Sequence, residues 1–254
     1  MRRRPMIAAA ADVTEAATAK IGTVRGRRAA HVAIAVALFG LPTAAGADEL
    51  QQRLLAGMQA TRADGFAFRQ TTAIERTGAA RKTLVEQFDP RRAAAERWSL
   101  ISVDGRAPTE KDLAGWRKIK RERVPSYAEN AKWFGTPATR VDADGVTTYR
   151  FARLPAGTLK IGSHDASADA QAEAVVNMRG RVPFVERVRF VTTKPFRMML
   201  VASVQAITAT ARYAALPSGA VVPAEVASRT TGSLMGKSGV LTTQTTYADV
   251  QPVR

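Results

Sequence analysis

His164 and Asp165 stand side by side in the stretch GSHDAS. A carboxylate beside an imidazole can orient a histidine for general-base work. That chemistry also needs a nucleophile, and the chain has no cysteine and no Gly-x-Ser-x-Gly elbow to supply one. Apart from His31, His164 is the only histidine, and structural or catalytic zinc takes several Cys or His ligands. A second stretch, DADG from Asp142 to Gly145, has the acid-x-acid-Gly look of a calcium loop. Counted from Asp142, the twelfth position should carry a bidentate acid, but Arg153 stands there. A hairpin turn accounts for the same residues. No Gly-rich phosphate loop occurs. The expectation is a protein that is not an enzyme, with no catalytic residue, no metal and no cofactor, and His164 in a surface loop.

A third stretch, WRKIKRER from Trp116 to Arg123, sets an aromatic ring among Arg117, Lys118, Lys120, Arg121 and Arg123. A helix lying on a membrane surface or on an anionic partner mixes residues this way. A solvated helix face with Trp116 turned into the core has the same composition.

The N-terminal segment bounds where such a partner would be met. Arg25, Arg27 and Arg28 precede the uncharged apolar run HVAIAVALFGL, Pro42 breaks it, and Ala45-Gly46-Ala47 follows. This basic, apolar, small-residue order is that of a secretory signal peptide with cleavage after Ala47. The apolar run is about half the ~20 residues needed to span a bilayer. Residues 1–24 make the basic region unusually long, and a translation start near Met6 or Val24 would shorten it. Residues 1–47 are therefore read as N-terminal extension and leader, and 48–254 as one domain, periplasmic after export. The whole chain carries a net charge of +16. Removing seven Lys/Arg and two acids with the leader leaves 31 basic and 20 acidic residues, or +11. Charge of this size suggests nucleic acid, but export points instead to lipid head groups or other anionic envelope surfaces. With no cysteine there is no site for lipoprotein acylation. The mature chain is expected to have no integral membrane segment.

The elements follow from periodicity. Leu50, Leu54, Leu55 and Met58 form the apolar stripe of a helix that begins at Asp48 and Glu49 and ends at Asp64-Gly65. The period then falls to two. FAFRQTTAIER, RKTLVEQFDP and ERWSLISV read as three strands joined by short turns, an antiparallel meander. The second places Leu84, Glu86 and Phe88 on one face, and the third Trp98, Leu100 and Ser102. In RWSLISVDGRAPTEKDLAGW, Asp104-Gly105 ends a strand, and Thr109 caps a helix with Asp112 three residues on. Leu113, Trp116 and Ile119 share one face of that helix, read as about three turns long. VPSYAENAKWFGTP reads as a polar-aromatic connection, and VDADGVTTYRF as a hairpin turning at Asp144-Gly145. Counting that hairpin, about six strands follow the helical insert, with FRMMLVASVQAITATARYA taken as one. The fold class is α+β: a large curved antiparallel sheet, an incomplete β-barrel, with the N-terminal and inserted helices covering its concave face.

FAFRQTTAIERTG, PFVERVRFVTTKPF and YAALPSGAVVPAEVASRTTGSLMG, with TTYADVQPV at the end, resemble the periplasmic lipoprotein carriers of the LolA/LolB-like fold. Leu216-Pro217, Pro223 and Tyr247 are the matching pieces of the late strands. The resemblance covers most of residues 50–252 as a strand pattern and has no specific motif. It implies an incomplete barrel with a helical lid, binding acyl chains or lipoproteins in an apolar cavity. Cavity residues would include Phe66, Phe68, Leu100, Phe190, Met199 and Val201, with Leu113, Trp116 and Ile119 on the lid. The chain departs from that family in its basic charge and in the RWSLISVDGRAPTEKDLAGW segment. Lipid or lipoprotein carriage in the envelope is the first functional expectation. An interaction or sensor module on the same half-barrel, without a lipid, is the alternative.

Overall fold

A computed structural model describes residues 48–62, 65–118, 126–161, 164–180, 182–198 and 202–253. The leader, Ile119, Lys120, Arg121, Arg123, Met199 and Val201 lie outside the described residues.

Helix α1, Glu49–Ala60, opens the described chain. Asp48 caps it by accepting from the Gln51 N–H at 2.7 Å, which satisfies one of the free donors of the first turn. The stripe read from the sequence faces inward: Leu50, Leu54 and Met58 are buried. Thirteen strands follow among the described residues. β1 (Phe66–Arg76), β2 (Lys82–Phe88) and β3 (Trp98–Val103) form the expected meander. Helix α2 (Glu110–Arg117) and a helical turn spanning Tyr127–Asn130 and α3 (Ala131–Phe134) separate it from β4 (Thr139–Ala143) and β5 (Val146–Phe151). A small hairpin, β6 (Lys160–Ile161) and β7 (His164–Asp165), precedes β8 (Ala170–Asn177) and β9 (Phe184–Thr192). The chain closes with β10 (Phe196–Met198), β11 (Ala202–Ala215), β12 (Val221–Leu234) and β13 (Lys237–Pro252).

All the pairings are antiparallel, and the order across the large sheet is β3-β2-β1-β13-β12-β11-β9-β8-β5-β4, with β10 folded against β11. Edge strands β3 and β4 do not meet, so the barrel stays open, in agreement with the α+β, incomplete-barrel expectation. Two hairpins turn through adjacent residues of positive φ: Asp144 and Gly145 (52° and 73°), and Met235 and Gly236 (51° and 78°). These are two-residue turns whose twist matches the flanking strands.

One register line crosses nine strands: Tyr149, Ala174, Val188, Ala211, Val226, Thr245, Thr72, Leu84 and Val103. All nine therefore share the inner face. The face is not uniform along that line. At the β5-β8-β9 end it carries Tyr149, Phe151, Val185 and Val188, all fully buried beneath α1 and α3. Trp133 meets Phe151 edge-on at 4.9 Å and Phe190 at 5.2 Å, while Phe134 meets Tyr149 at 5.6 Å. Across β12, β13 and β1 the residues are small or hydroxylated. Thr72 and Thr245 are 2.9 Å apart at their hydroxyls, and Ser228 and Thr243 are 2.7 Å apart.

Three local readings of the sequence are corrected. The VPSYAENAKWFGTP connection contains the helical turn that plugs the core, because Tyr127, Trp133 and Phe134 are spaced to point inward once Ser126 caps the turn. The stretch read as one strand around Met199 is two, since β10 pairs back on β11 with Met198 opposite Ala202. A bulge between Val85 and Glu86 also shifts β3, so Val103 pairs with Leu84 on the inner face and Ser102 with Val85 on the outer.

Two glycines make opposite predictions. A Cβ on Gly232, in the interior of β12, would lie 2.2 Å from the Ser203 carbonyl oxygen, whereas a Cβ on Gly57, on the exposed side of α1, would meet nothing within 4 Å. In urea melts Gly232→Ala should destabilise by roughly 1–3 kcal/mol through forced backbone shift, and Gly57→Ala should stabilise by roughly 0.5–1 kcal/mol.

Candidate functional site

The half of the inner face not covered by α1 and α3 holds the candidate site. At its β1-β2-β3 end four rings cluster. Phe68 lies 5.2 Å from Phe88, 5.7 Å from Trp98 and 5.5 Å from Tyr247, and Phe88 lies 5.0 Å from Trp98. Phe68, Phe88 and Trp98 meet because β1, β2 and β3 pair Phe68 with Phe88 and Phe88 with Trp98. Beside them an apolar hollow is lined by Phe66, Phe68, Tyr127, Val222, Pro223 and Tyr247, among others. Its cavity volume is about 10 Å³, room for about one water molecule. Burial pushes the Tyr127 phenol up to about 12, partly offset by the Val185 N–H that donates to its oxygen at 2.9 Å. Burial also raises the Tyr247 phenol. Both rings stay neutral at physiological pH, and Arg62 is the charged residue in the hollow's lining.

Glu86 is a carboxylate on the inner face of β2, and it is 3 % exposed. Its Oε2 accepts from Gln70 Nε2 at 2.8 Å, and its Oε1 from the Trp116 indole N–H at 2.6 Å. A buried carboxylate is tolerated when its lone pairs are filled in this way. The strand alternation had placed Glu86 with Leu84 and Phe88, so an acid on the apolar side of β2 was the signal for this contact, although no role was read from it. Trp116 reaches Glu86 from α2, a helix that buries no residue completely, with Leu113 and Trp116 half-buried. The start of α2 is held by the expected capping box. Thr109 Oγ1 accepts from the Asp112 N–H, and the Asp112 carboxylate accepts from the Thr109 N–H and hydroxyl, and from Arg106 at 2.8 Å. These donors hold the Asp112 carboxyl well below the usual carboxylate range, the Thr109 hydroxyl contributing most.

The residues singled out from the sequence are distributed unevenly. Phe66 and Phe68 line the hollow. Leu100 is buried on β3, at the register position opposite Glu86. Phe190 lies against Trp133 in the core under α3. Arg117 and Lys118 are exposed at the end of the described part of α2. The neighbours His164 and Asp165 turn to different partners. The His164 ring stacks on Phe196 at 4.1 Å, and Asp165 accepts from the Ser167 hydroxyl and from the Gly157 N–H. Asp142 in the DADG stretch is engaged by Arg140 and Thr147. Among the described residues no group of three or more His, Asp or Glu side chains is placed to hold a metal ion, and no helix is long and apolar enough to cross a membrane.

No family model and no curated protein matches the chain. Among solved structures, a LolA superfamily protein from Nitrosomonas europaea is similar with a TM-score of 0.37 and 11% identity, over 83% of this chain and 95% of that one. A DUF1329 family protein from Desulfovibrio piger is similar with a TM-score of 0.31 and 10% identity, over 80% of this chain and 90% of that one.

Two predictions follow from the way α2 is held. A hydrogen bond to a charged group is worth ~1.5–3 kcal/mol, so Trp116→Phe should speed amide exchange in α2 by roughly tenfold or more. Global melting should move far less, because α2 buries no residue completely. The second concerns pH. Because the folded Asp112 carboxyl titrates below its unfolded value of about 3.9, its contribution is complete above that value and fades as pH falls toward the folded one. Exchange in the first turn of α2 should be flat, after correction for intrinsic rates, from pH 8 to about 5 and rise below about 4.

Proposed function

We propose that the chain is a non-enzymatic protein of the cell envelope that binds or carries the acyl part of a lipid or lipoprotein between the inner face of its sheet and α2. In this reading the leader is removed after Ala47 and the mature protein works in the periplasm. The observation that supports it is the position of α2. The helix reaches the inner face at Glu86, two residues from Phe88 in the aromatic cluster, through the Trp116–Glu86 hydrogen bond, and among its described residues none is completely buried. Lifting it would break the Trp116–Glu86 hydrogen bond and uncover the inner face beneath it. It would also extend the hollow at Phe66 and Phe68 along the aromatic cluster toward Leu100. Leu113 and Trp116 then act as the lid's inner side, and Ile119, Met199 and Val201 stay in the proposal as sequence expectations. Arg117 and Lys118 are exposed at the end of α2, and with Lys120, Arg121 and Arg123 they are the basic residues an anionic envelope surface could meet. Nucleic acid has no place in the reading.

A second reading, an interaction or sensor module without a lipid, is favoured by one observation: the hollow as it stands has room for about one water molecule.

Mass spectrometry of organic extracts of the purified protein, together with titration by a fluorescent fatty acid, separates the two. The first reading expects co-purified acyl lipid and saturable binding that Phe66→Ser weakens about tenfold, the equivalent of losing part of one apolar side chain's burial. Absence of both lipid and saturable binding would leave the second. N-terminal sequencing of the secreted protein should begin at Asp48.

A further inference from the structure

The outer face of the sheet carries a cluster that the proposed carrier role does not use. Arg187 and Arg189 alternate with buried Val188 on β9, and so both point outward. Arg212 on β11 is the direct register partner of Arg187. Arg150 on β5, Glu173 on β8 and Arg189 on β9 form the adjacent line. A groove of about 250 Å³ opens between these lines, lined by Glu173, Val175, Arg187, Arg189, Thr210 and Arg212.

Two cations placed directly opposite in an antiparallel pair repel each other, and the carboxylates nearby do not balance them. Glu173 is shared between Arg150 at 3.2 Å and Arg189 at 3.9 Å. Glu225 lies 3.8 Å from Arg212 and also accepts from Gln244 at 2.7 Å. Arg187 has no carboxylate within ion-pair distance among the described residues. Four guanidinium groups thus face two carboxylates, each already divided between partners. Guanidinium forks match the oxygens of a phosphate in pairs, which makes arginine better suited than lysine to such a group.

We propose that this groove seats the phosphate-bearing head groups of an anionic lipid bilayer, docking the outer face of the sheet on a membrane surface while the inner face stays free. Its arginines are exposed, as a surface contact requires, and its excess positive charge agrees in sign with the +11 carried by residues 48–254. The proposal rests on the envelope reading above, because only an exported chain meets such a surface on that side of the membrane.

The test is cosedimentation of the protein, purified from cells expressing the full chain, with vesicles. One set is phosphatidylcholine alone, and the other contains phosphatidylglycerol at a third of the lipid. The triple variant Arg187→Gln, Arg189→Gln, Arg212→Gln is compared with Arg53→Gln, Arg81→Gln, Lys132→Gln, which loses the same charge from other exposed positions. Binding should be confined to the anionic vesicles and fall with salt. The groove variant should lose partitioning by roughly a hundredfold, and the control by less than about threefold. Replacing the same three arginines by lysine should restore part of the binding. Equal losses in the two triple variants would overturn the proposal, as would equal binding to neutral vesicles. Binding of inorganic phosphate without vesicle binding would overturn it too. If fatty-acid titration of the same preparations succeeds while vesicles fail, the docking proposal falls alone; if both fail, the envelope reading falls with it.

Discussion

Phe134 has no exposed surface, and the carbonyls of Phe134 and Thr136 both accept from one side-chain amide, that of Gln51 on α1, at 2.7 and 2.9 Å. This clamp joins two helical pieces that are far apart in the chain, and it sits where backbone groups would otherwise be buried without partners. With it in place, Trp133 and Phe134 cover Tyr149 and Phe151, and the half of the open sheet formed by β5, β8 and β9 has a packed interior. A sheet that does not close needs such a cover, because its inner face cannot bury itself against its own far side.

The cover reaches only halfway, and the inner face changes character where it stops. Toward β13 and β1 the register positions that carried Tyr149 and Val188 carry Thr245 and Thr72. Hydroxyl pairs replace rings until the aromatic cluster around Phe68. The packed interior lies under α1 and α3, while α2 meets the sheet through the Trp116–Glu86 hydrogen bond with Leu113 and Trp116 half-buried. Units with few buried apolar groups are those that open locally at least cost.

Much of this was legible in the residues. The α1 stripe, the β1–β3 meander, the Asp144-Gly145 turn and the Thr109 capping box are local patterns with strong stereochemical causes, and each stands where the pattern puts it. What escaped depended on distant partners. Tyr127–Phe134 reads as a loop, since a turn so short has no helical period to detect, and its burial is decided by α1. Nothing in the Met199 region marks a strand reversal by Gly or Pro. The bulge that places Val103 rather than Ser102 inward needs the pairing of β2 with β3 before it can be seen. Glu86 was visible as an acid on the apolar parity of its strand, but the Trp116 indole that fills its lone pair is thirty residues away. Arg187 and Arg189 carry no local signal of a cluster, because Arg212 comes opposite Arg187 only through the pairing of β9 with β11.

The sheet is also joined across nearly the whole length of the chain. β1 pairs with β13, with Phe66 opposite Pro252, and Thr72 bonds a hydroxyl 173 residues later. Until the last strand arrives, the meander of β1–β3 has an unpaired flank, and the remaining strands have no connection to it. Contacts of such long range make folding slow. The large sheet therefore cannot be completed until the C-terminal strand is available to pair with β1.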